Sequence, residues 1–298
     1  MTKLPNFLIV GAAKSGTTSL YEYLRTHPQI FMPARKEPSY FEPKAGGVGS
    51  WDEYCDLFDG AGEYKRVGEA SVSYLMSPKA PERIERTLGK DVDIVVLLRN
   101  PVAMAYSNWG HQAREGYERL DFLSALYDEE RRLSDPEFER TAGRWIYDMT
   151  YVHRASYADQ IARYIKHFGQ DRMHVFLFEE FFKPGLPLYA ELLKALDIDP
   201  AHRPTEAVYN KAGTIRSSFI RRVISERMAW KEPIKWVTPP AVRTRMMAAL
   251  ARFNRIGRQL PPIPPEAQRY LKMKFAPEVD VLSTLLGRNF KAIWGFDG

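Results

Sequence analysis

A lysine and two threonines follow the first apolar run of the chain and form a candidate phosphate-binding loop. The run Phe7–Val10 ends at Gly11, and the segment from Ala12 to Gly16 then leads into two threonines. Small residues at such a turn let backbone N–H groups face an anion, and the start of the following helix adds its positive dipole end. The loop predicts a phosphate site built from Lys14, Ser15, Gly16, Thr17 and Thr18.

The position of the lysine separates this loop from an ordinary P-loop. Gly11 and Gly16 have the spacing of the signature G-x-x-x-x-G-K-[ST], but Thr17 stands where that signature has its lysine. A P-loop NTPase uses that lysine on the β/γ-phosphates and a neighbouring hydroxyl on Mg²⁺. Because Lys14 lies inside the loop instead, a different nucleotide is indicated, and a P-loop kinase is the alternative enzyme class.

A carboxylate beside a lysine forms the second candidate group. Lys36 and Glu37 lie in the segment Arg35–Phe41, next to Pro38. A positioned carboxylate can take the proton of a hydroxyl that attacks an electrophile, so Glu37 is a candidate general base. The alternative interpretation is a solvated ion pair in a proline-containing loop.

An arginine at the end of an apolar run forms the third candidate group. Arg99 follows the run Asp93–Leu98, and Ser107 follows Arg99 by eight positions, two turns into the next predicted helix. A guanidinium presents a planar fork of donors that matches phosphate, and a serine hydroxyl can add one hydrogen bond. This pair predicts a second phosphate site.

Together these motifs resemble the sulfotransferases that use 3′-phosphoadenosine 5′-phosphosulfate (PAPS), in particular their heparan-sulfate-type and bacterial branches. The resemblance implies transfer of the sulfuryl group from PAPS to an acceptor hydroxyl, with adenosine 3′,5′-bisphosphate (PAP) as product and no metal. It assigns Lys14 to the bridging oxygen and the 5′-phosphate, Glu37 to proton abstraction, and Arg99 with Ser107 to the 3′-phosphate.

The resemblance also implies residues on the acceptor side. The segment Gly68–Tyr74 corresponds to a family segment that often reads Glu-Lys-Ser or Glu-Lys-Thr, and the chain has Ala70 at the position of that lysine. This departure weakens the case for a heparan-like acceptor. The candidate substrate-binding residues are Lys36, Glu69, Ser71 and Tyr74.

Three further residues are implied by the same resemblance. His111, one turn beyond Ser107, corresponds to a histidine that faces the acceptor in the N-sulfotransferase branch, and the alternative is a histidine on a partly exposed helix face. Lys211 and Arg216 fall where the family has a basic loop over the 3′-phosphate, and the alternative is a solvated basic loop.

The elements that position these residues alternate between strands and helices. This order predicts an α/β fold, a P-loop-like open parallel sheet with helices on both faces and ligands at the carboxyl ends of the strands. Residues 1–298 are expected to form one domain, with a core over about 1–216 and a basic helical cap and docking segment over about 217–298. The predicted strands are Asn6–Val10, Arg66–Ala70, Asp93–Leu98 and Arg172–Phe178, and the predicted helices include Thr17–Thr26, Ser50–Phe58, Pro78–Leu88, Phe122–Leu133, Ser156–Phe168 and Pro277–Leu286.

The composition of the chain limits which classes of protein it can belong to. A single cysteine, Cys55, excludes an intrachain disulfide framework, and no apolar run is long enough to span a bilayer, so a cytoplasmic protein is expected. A net charge of +6 fits a protein that handles polyanionic small molecules. We expect a small-molecule or glycan acceptor and no nucleic-acid partner. Contact between the basic C-terminal third and a membrane surface, in a non-catalytic anion-binding protein, is the alternative from a different class.

Overall fold

Five strands form one parallel sheet in the computed structural model, which describes residues 3–205, 214–215, 255–256 and 260–297. The strands lie in the order β2-β3-β1-β4-β5, and all neighbours pair in parallel. A separate antiparallel pair joins β6 and β7. The bounds are β1 Phe7–Gly11, β2 Ile30–Phe31, β3 Arg66–Ala70, β4 Asp93–Leu98, β5 Met173–Leu177, β6 Thr214–Ile215 and β7 Arg255–Ile256.

The central strand β1 shows why the strand sequences are continuously apolar. Leu8 and Val10 pack into the core on one face of the sheet, while Phe7 and Ile9 pack into the core on the other. All four side chains are fully buried. Because both faces of the sheet are covered, the strand needs apolar residues at every position rather than at alternate ones.

Helices connect and cover the strands. Short 3-10 helices span Pro43–Ala45, Ala61–Glu63, Ile146–Asp148 and Gln170–Arg172. The α-helices of the described residues are α1 Thr17–Arg25, α2 Trp51–Asp56, α3 Ser73–Met76, α4 Ala80–Leu88, α5 Pro101–Arg114, α6 Phe122–Tyr127, α7 Glu129–Ser134, α8 Phe138–Ala142, α9 Val152–Ala155, α10 Tyr157–Phe168, α11 Phe178–Phe181, α12 Pro187–Ala195, α13 Pro265–Leu286 and α14 Phe290–Trp294.

The two faces of the sheet carry different helices. Helices α1 and α12 bury Leu20, Leu24 and Leu192 in the core that also holds Phe7. Helices α4, α5, α10 and α13 contribute to the core on the opposite face. The predicted open parallel sheet with helices on both faces is therefore confirmed.

The predicted start of the C-terminal helix is wrong. Pro277 was expected to open that helix because proline is favoured at the first helical position, yet α13 begins at Pro265 and continues through Pro277. Leu271, Phe275 and Val279 are all buried along one side of α13. The packing of this apolar side outweighs the one backbone hydrogen bond that Pro277 cannot donate.

The single helix predicted over Phe122–Leu133 is also wrong. Two helices, α6 and α7, meet at Asp128, which ends the first and precedes the second. The Asp128 carboxylate binds Arg131 at 2.6 Å and Arg132 at 2.8 Å. An acidic side chain at the start of a helix is stabilised by the helix dipole, and this favours a new helix start at Asp128.

The C-terminal end of the chain packs against the sheet domain. Phe290 and Trp294 of α14 are buried in the same core as α13, and the Asn100 amide donates to the Trp294 carbonyl at 3.1 Å. The basic part of the predicted cap lies outside the described residues, except for β7. The cap and the single-domain organisation stay predictions. Among the described helices, none combines the length and apolarity that a membrane crossing requires.

Removing a buried side chain from α13 should destabilise the whole domain. Leu271 is fully buried, whereas Met273 on the same helix is 70% exposed. We expect Leu271→Ala to lower the free energy of unfolding by about 2–5 kcal/mol, because it removes apolar contacts and leaves a cavity. Met273→Ala, the matched control, should change it by less than about 0.5 kcal/mol. Chemical denaturation followed by fluorescence and circular dichroism measures both, and equal losses would contradict the packing of α13.

Candidate active site

The loop between β1 and α1 has a backbone that only a few residue types tolerate. Gly16 has a φ of +86°, and a Cβ at this position would lie 2.3 Å from the Phe182 ring. Glycine is therefore required there for both conformation and space. Lys14, with a φ of 60°, presents its carbonyl to Arg99, whose Nη1 donates to it at 3.1 Å. The strand that ends at Arg99 thus supports the loop that carries Lys14.

The start of α1 has no side-chain cap. Gly16 is the N-cap residue and supplies no side-chain hydrogen bond to the first turn. The helix dipole favours negative charge at this end of α1. Thr17 and Thr18 begin the helix as predicted. The Ser15 hydroxyl is buried and donates to the Ala13 carbonyl at 3.3 Å, so only its backbone remains for a phosphate.

Glu37 is fixed at the carboxyl end of β3. Its N–H donates to the Ala70 carbonyl at 2.9 Å, and its Oε2 accepts the Val72 N–H at 2.8 Å. The other carboxylate oxygen pairs with Lys36. The side chain of Glu37 is 36% exposed, so a substrate can reach it. Since β3 lies beside β1, Glu37 and the Lys14 loop occupy the same edge of the sheet.

The three side chains predicted to line the acceptor cleft lie beneath the surface. Glu69, Ser71 and Tyr74 are fully buried. The Ser71 Oγ accepts the Ser39 N–H at 3.0 Å, while the Tyr74 hydroxyl donates to Glu69 at 3.4 Å. In the structure Ser71 supports the segment next to Glu37, and contact of these three residues with an acceptor stays a prediction.

Burial gives Glu69 an unusual proton affinity. Desolvation, with a smaller contribution from the charge of Glu37, raises its pKa to about 8. Its Oε1 has no hydrogen-bond partner among the described residues, and neither has the nearby Tyr54 hydroxyl. A buried carboxyl without a cation is cheaper to keep protonated than charged. Glu69 is therefore a neutral acid at pH 7.

Arg99 is buried at the end of β4. Its guanidinium lies over the Phe178 ring at 4.8 Å from the centroid, and burial lowers its pKa. The Tyr157 hydroxyl donates to the Arg99 carbonyl at 3.1 Å. Ser107 lies two turns along α5 and is half-buried. Arg99 thus places its donors beside the Lys14 loop on a rigid support.

A group of cations surrounds Lys14 on the side of α5. Burial lowers the pKa of Lys14 to about 8, and the charges of Arg114, Arg154 and Arg99 lower it as well. Burial and the charges of Lys14, Arg114 and Arg154 lower the pKa of His111 to about 3. His111 is neutral at physiological pH, and its Nδ1 lies 3.2 Å from Arg114 Nη2. The structure brings Lys14, Arg99 and His111 into one electrostatic group.

Two members of this group were missed by the sequence analysis. Arg114 lies one turn beyond His111 on α5, and this spacing could have indicated it. Arg154 is separated from the motifs by more than forty residues and carries no sequence signal. It reaches the site because α9 packs on α5. The predicted Lys211 and Arg216 lie outside the described residues.

The protonated state of Glu69 should appear as a pH dependence of stability. Its pKa is about 8 in the folded chain and 4.5 for an unperturbed glutamate, so the folded state holds the proton over this range while the unfolded state releases it. Stability should fall as pH rises between these values.

We therefore expect Glu69→Gln to gain stability relative to the wild type by a few kcal/mol between pH 5 and pH 8. Chemical denaturation across this range measures the difference. Glu82→Gln, an exposed glutamate on α4, is the control and should show none. Parallel pH profiles for Glu69→Gln and the wild type would contradict a neutral Glu69.

Comparisons with known proteins identify the family of the chain. A sequence model described as the sulfotransferase domain matches residues 4–185. The chain is 36% identical over 107 residues to a membrane-associated sulfotransferase, kil1, of Dictyostelium discoideum, covering 36% of this chain and 22% of that protein. It is 27% identical over 166 residues to heparan sulfate glucosamine 3-O-sulfotransferase 3B1 of Homo sapiens, covering 56% of this chain and 39% of that protein.

The alignments therefore span less than half the length of these two curated relatives. A crystal structure of a sulfotransferase from Alicyclobacillus acidocaldarius superposes with a TM-score of 0.71 at 28% identity, covering 98% of this chain and 99% of that one. The predicted family resemblance is confirmed. The sequence model of the sulfotransferase domain matches more than half of the residues of this chain. The chain therefore belongs to the sulfotransferase family.

Proposed function

We propose that the protein transfers the sulfuryl group of PAPS to a hydroxyl of an acceptor. The observation that carries the proposal is the convergence of Lys14, Glu37 and Arg99 at the carboxyl ends of the neighbouring strands β1, β3 and β4. A cationic phosphate cradle stands there beside an accessible carboxylate. This combination suits transfer of an anionic group to a nucleophile that must lose a proton.

The chemistry of the donor groups fits PAPS. Lys14 and Arg99 are cations whose pKa values are lowered by burial, so a bound polyanion relieves an existing electrostatic cost. The uncapped first turn of α1 offers N–H groups to the 5′-phosphate. Arg99 with Ser107 provides the donors for the 3′-phosphate, which distinguishes this nucleotide from AMP and ATP.

A kinase fits the same residues less well. It needs a lysine where the chain has Thr17 and an acidic residue after a second strand to hold Mg²⁺. The strand β4 ends instead in Arg99 and Asn100, and the Asn100 side chain caps α5 by accepting the Val102 N–H at 3.0 Å. The residues at these two positions, Thr17 and the end of β4, both favour a metal-independent reaction of a bisphosphate nucleotide.

The reaction divides between Glu37 and Lys14. The acceptor hydroxyl oxygen attacks the sulfur atom as Glu37 takes the hydroxyl proton. The sulfur–oxygen bond to the 5′-phosphate breaks, and its electron pair stays on the phosphate oxygen, where Lys14 neutralises the added charge. The products are the sulfated acceptor and PAP, with the proton on Glu37. His111, which is neutral, contributes a hydrogen bond on the acceptor side rather than a charge.

The acceptor is proposed only as a class. The human relative is named for a heparan sulfate glucosamine acceptor, and we infer a glycan or another hydroxylated small molecule for this chain. Ala70 replaces the lysine that the heparan-type segment often has, so the acceptor contacts differ from that pattern. Lys36, paired with Glu37, is placed to offset sulfonate charge. Nucleic acid is not proposed as a partner.

Binding of PAP tests the donor site, and one variant separates binding from transfer. We expect calorimetric titration to show PAP binding that AMP cannot match. Arg99→Ala should weaken PAP binding at least tenfold, because it removes a charge-assisted contact with the 3′-phosphate, and Arg86→Ala, an exposed arginine on α4, should not.

Glu37→Gln should keep PAP binding within about threefold, since the carboxylate contacts the acceptor rather than the nucleotide. It should abolish transfer of labelled sulfate from PAPS to a panel of sugar and phenol acceptors. Preference for ATP with Mg²⁺ over PAP would contradict the proposal and favour a kinase.

The pKa of Lys14 predicts the pH dependence of PAP binding. In the free site its pKa is about 8, and a bound bisphosphate raises it, so the complex holds more protons than the free protein above that pH. Affinity should fall by up to about tenfold per pH unit as the pH rises beyond 8. Lys14→Met should bind more weakly and lose this dependence. Titrations of PAP from pH 7 to 9.5 measure this pH dependence. If the affinity of Lys14→Met falls with pH as steeply as that of the wild type, the proton that controls binding belongs to another group.

A further inference from the structure

Arg154 lies in the site, yet the proposed function gives it no role. The residue belongs to α9, which packs on α5, and only 6% of it is exposed. Its charge acts on Lys14 and on His111, so it lies within electrostatic reach of both. A buried arginine at such a position needs an explanation in terms of what it binds.

The guanidinium of Arg154 is held by one of its nitrogen atoms. Nη1 donates to the Tyr147 carbonyl at 2.8 Å and to the Asp148 Oδ1 at 2.7 Å. Its Nε and Nη2 donate to no other residue in the part of the chain that the structure describes. One nitrogen therefore fixes the orientation, while the remaining N–H groups are free to meet an oxyanion with two oxygen atoms.

Glu129 holds the short helix that carries Arg154. Its Oε2 accepts the N–H groups of Tyr151 at 2.7 Å and Val152 at 2.9 Å, and its Oε1 accepts the His153 N–H at 2.7 Å. The helix α9 has only four residues, which is too short to be stable by itself. Three hydrogen bonds from one buried carboxylate therefore fix the backbone immediately before Arg154.

A buried ion pair fixes the segment just before this helix. Arg132 binds Glu118 at 2.6 Å and donates to the Met149 carbonyl at 3.1 Å. The Tyr151 hydroxyl donates to the same Glu118 at 2.6 Å. The backbone on both sides of residue 150 is thus attached to a buried polar network. This network explains how Arg154, on a helix of only four residues, is held in a fixed position.

We propose that Arg154 binds the oxygen atoms of the sulfuryl group during transfer and that Glu129 is its positioning residue. The proposal rests on the proposed function. In the proposed function Lys14 serves the leaving oxygen and His111 the acceptor side, and the charge of Arg154 acts on both of these residues. Arg154 forms no covalent bond and exchanges no proton. Its free N–H groups meet two sulfuryl oxygens while the sulfur changes partners.

The comparison of PAPS with PAP isolates this contact, because PAP lacks the sulfuryl group. We expect Arg154→Met to lower the ratio of PAPS affinity to PAP affinity at least tenfold, with PAP affinity changed by less than about threefold. Arg154→Lys keeps the positive charge but loses the planar guanidinium, and it should lower the ratio several-fold. This variant also provides a test if the methionine variant fails to fold. Arg131→Met, an exposed arginine on α7, is the charge-matched control and should leave the ratio unchanged.

The positioning role of Glu129 is tested by a double-mutant cycle. Glu129→Gln should lower the same ratio, and the double variant with Arg154→Met should be no worse than Arg154→Met alone, because both changes remove one contact. Glu130→Gln, an exposed neighbour, is the control. Additive effects of the two substitutions would overturn the positioning role, since a merely structural effect would add.

The outcomes separate this inference from the function on which it rests. If the wild type binds neither PAP nor PAPS, the proposed function fails. If it binds both and Arg154→Met and Arg154→Lys leave the ratio unchanged, the role of Arg154 is overturned while the donor site stands. Equal losses of PAP and PAPS affinity would also overturn it, because they would indicate a general effect on the nucleotide site.

Discussion

Repulsion between cations that are partly or fully removed from water is the main physical constraint on this candidate site. Arg154 is buried, the charges of Arg154 and Arg99 act on Lys14, and burial lowers the pKa of Lys14 and of Arg99. Arg154 has the Asp148 carboxylate as a partner, whereas desolvation of Lys14 and Arg99 costs free energy in the folded protein. The rest of the fold supplies the stability that lets these charges stay together.

The sheet order determines which groups meet. Because β1 lies between β3 and β4, the loop that carries Lys14 has Glu37 on one side and Arg99 on the other. Two hydrogen bonds to backbone carbonyls stabilise this arrangement of loops. Arg99 donates to the Lys14 carbonyl, and the Glu37 N–H donates to the Ala70 carbonyl. The reacting groups are thus attached to strand ends with little freedom, which favours electrostatic preorganisation.

Two carboxylates near this edge have opposite environments. Glu37 is accessible and is bound to Lys36 and to a backbone N–H, so its negative charge is supported. Glu69 is buried without a cation, and its pKa rises to about 8, in part because Glu37 is nearby. Glu69 is thus a neutral group beneath Glu37, and Glu37 is the more accessible of the two carboxyl groups.

Local signals in the sequence accounted for much of the architecture. The strand over Asp93–Leu98 has its predicted bounds, because a strand buried on both faces is apolar along most of its length, and the strand over Arg66–Ala70 also has its predicted bounds. Local signals failed where packing overrides them. Pro277 lies inside α13 because the buried side of that helix extends past it, and Asp128 divides a segment that looked like one helix.

Short motifs in the sequence indicated the loop between β1 and α1 and the arginine after β4, since the spacing of Gly11, Lys14 and Gly16 reflects backbone geometry. The burial of Glu69 and the packing of α9, which carries Arg154, on α5 emerge only in the folded chain, because both depend on contacts between segments that are distant in the sequence. No local pattern of residues encodes such a contact, since its energy comes from surfaces that meet only in the folded chain.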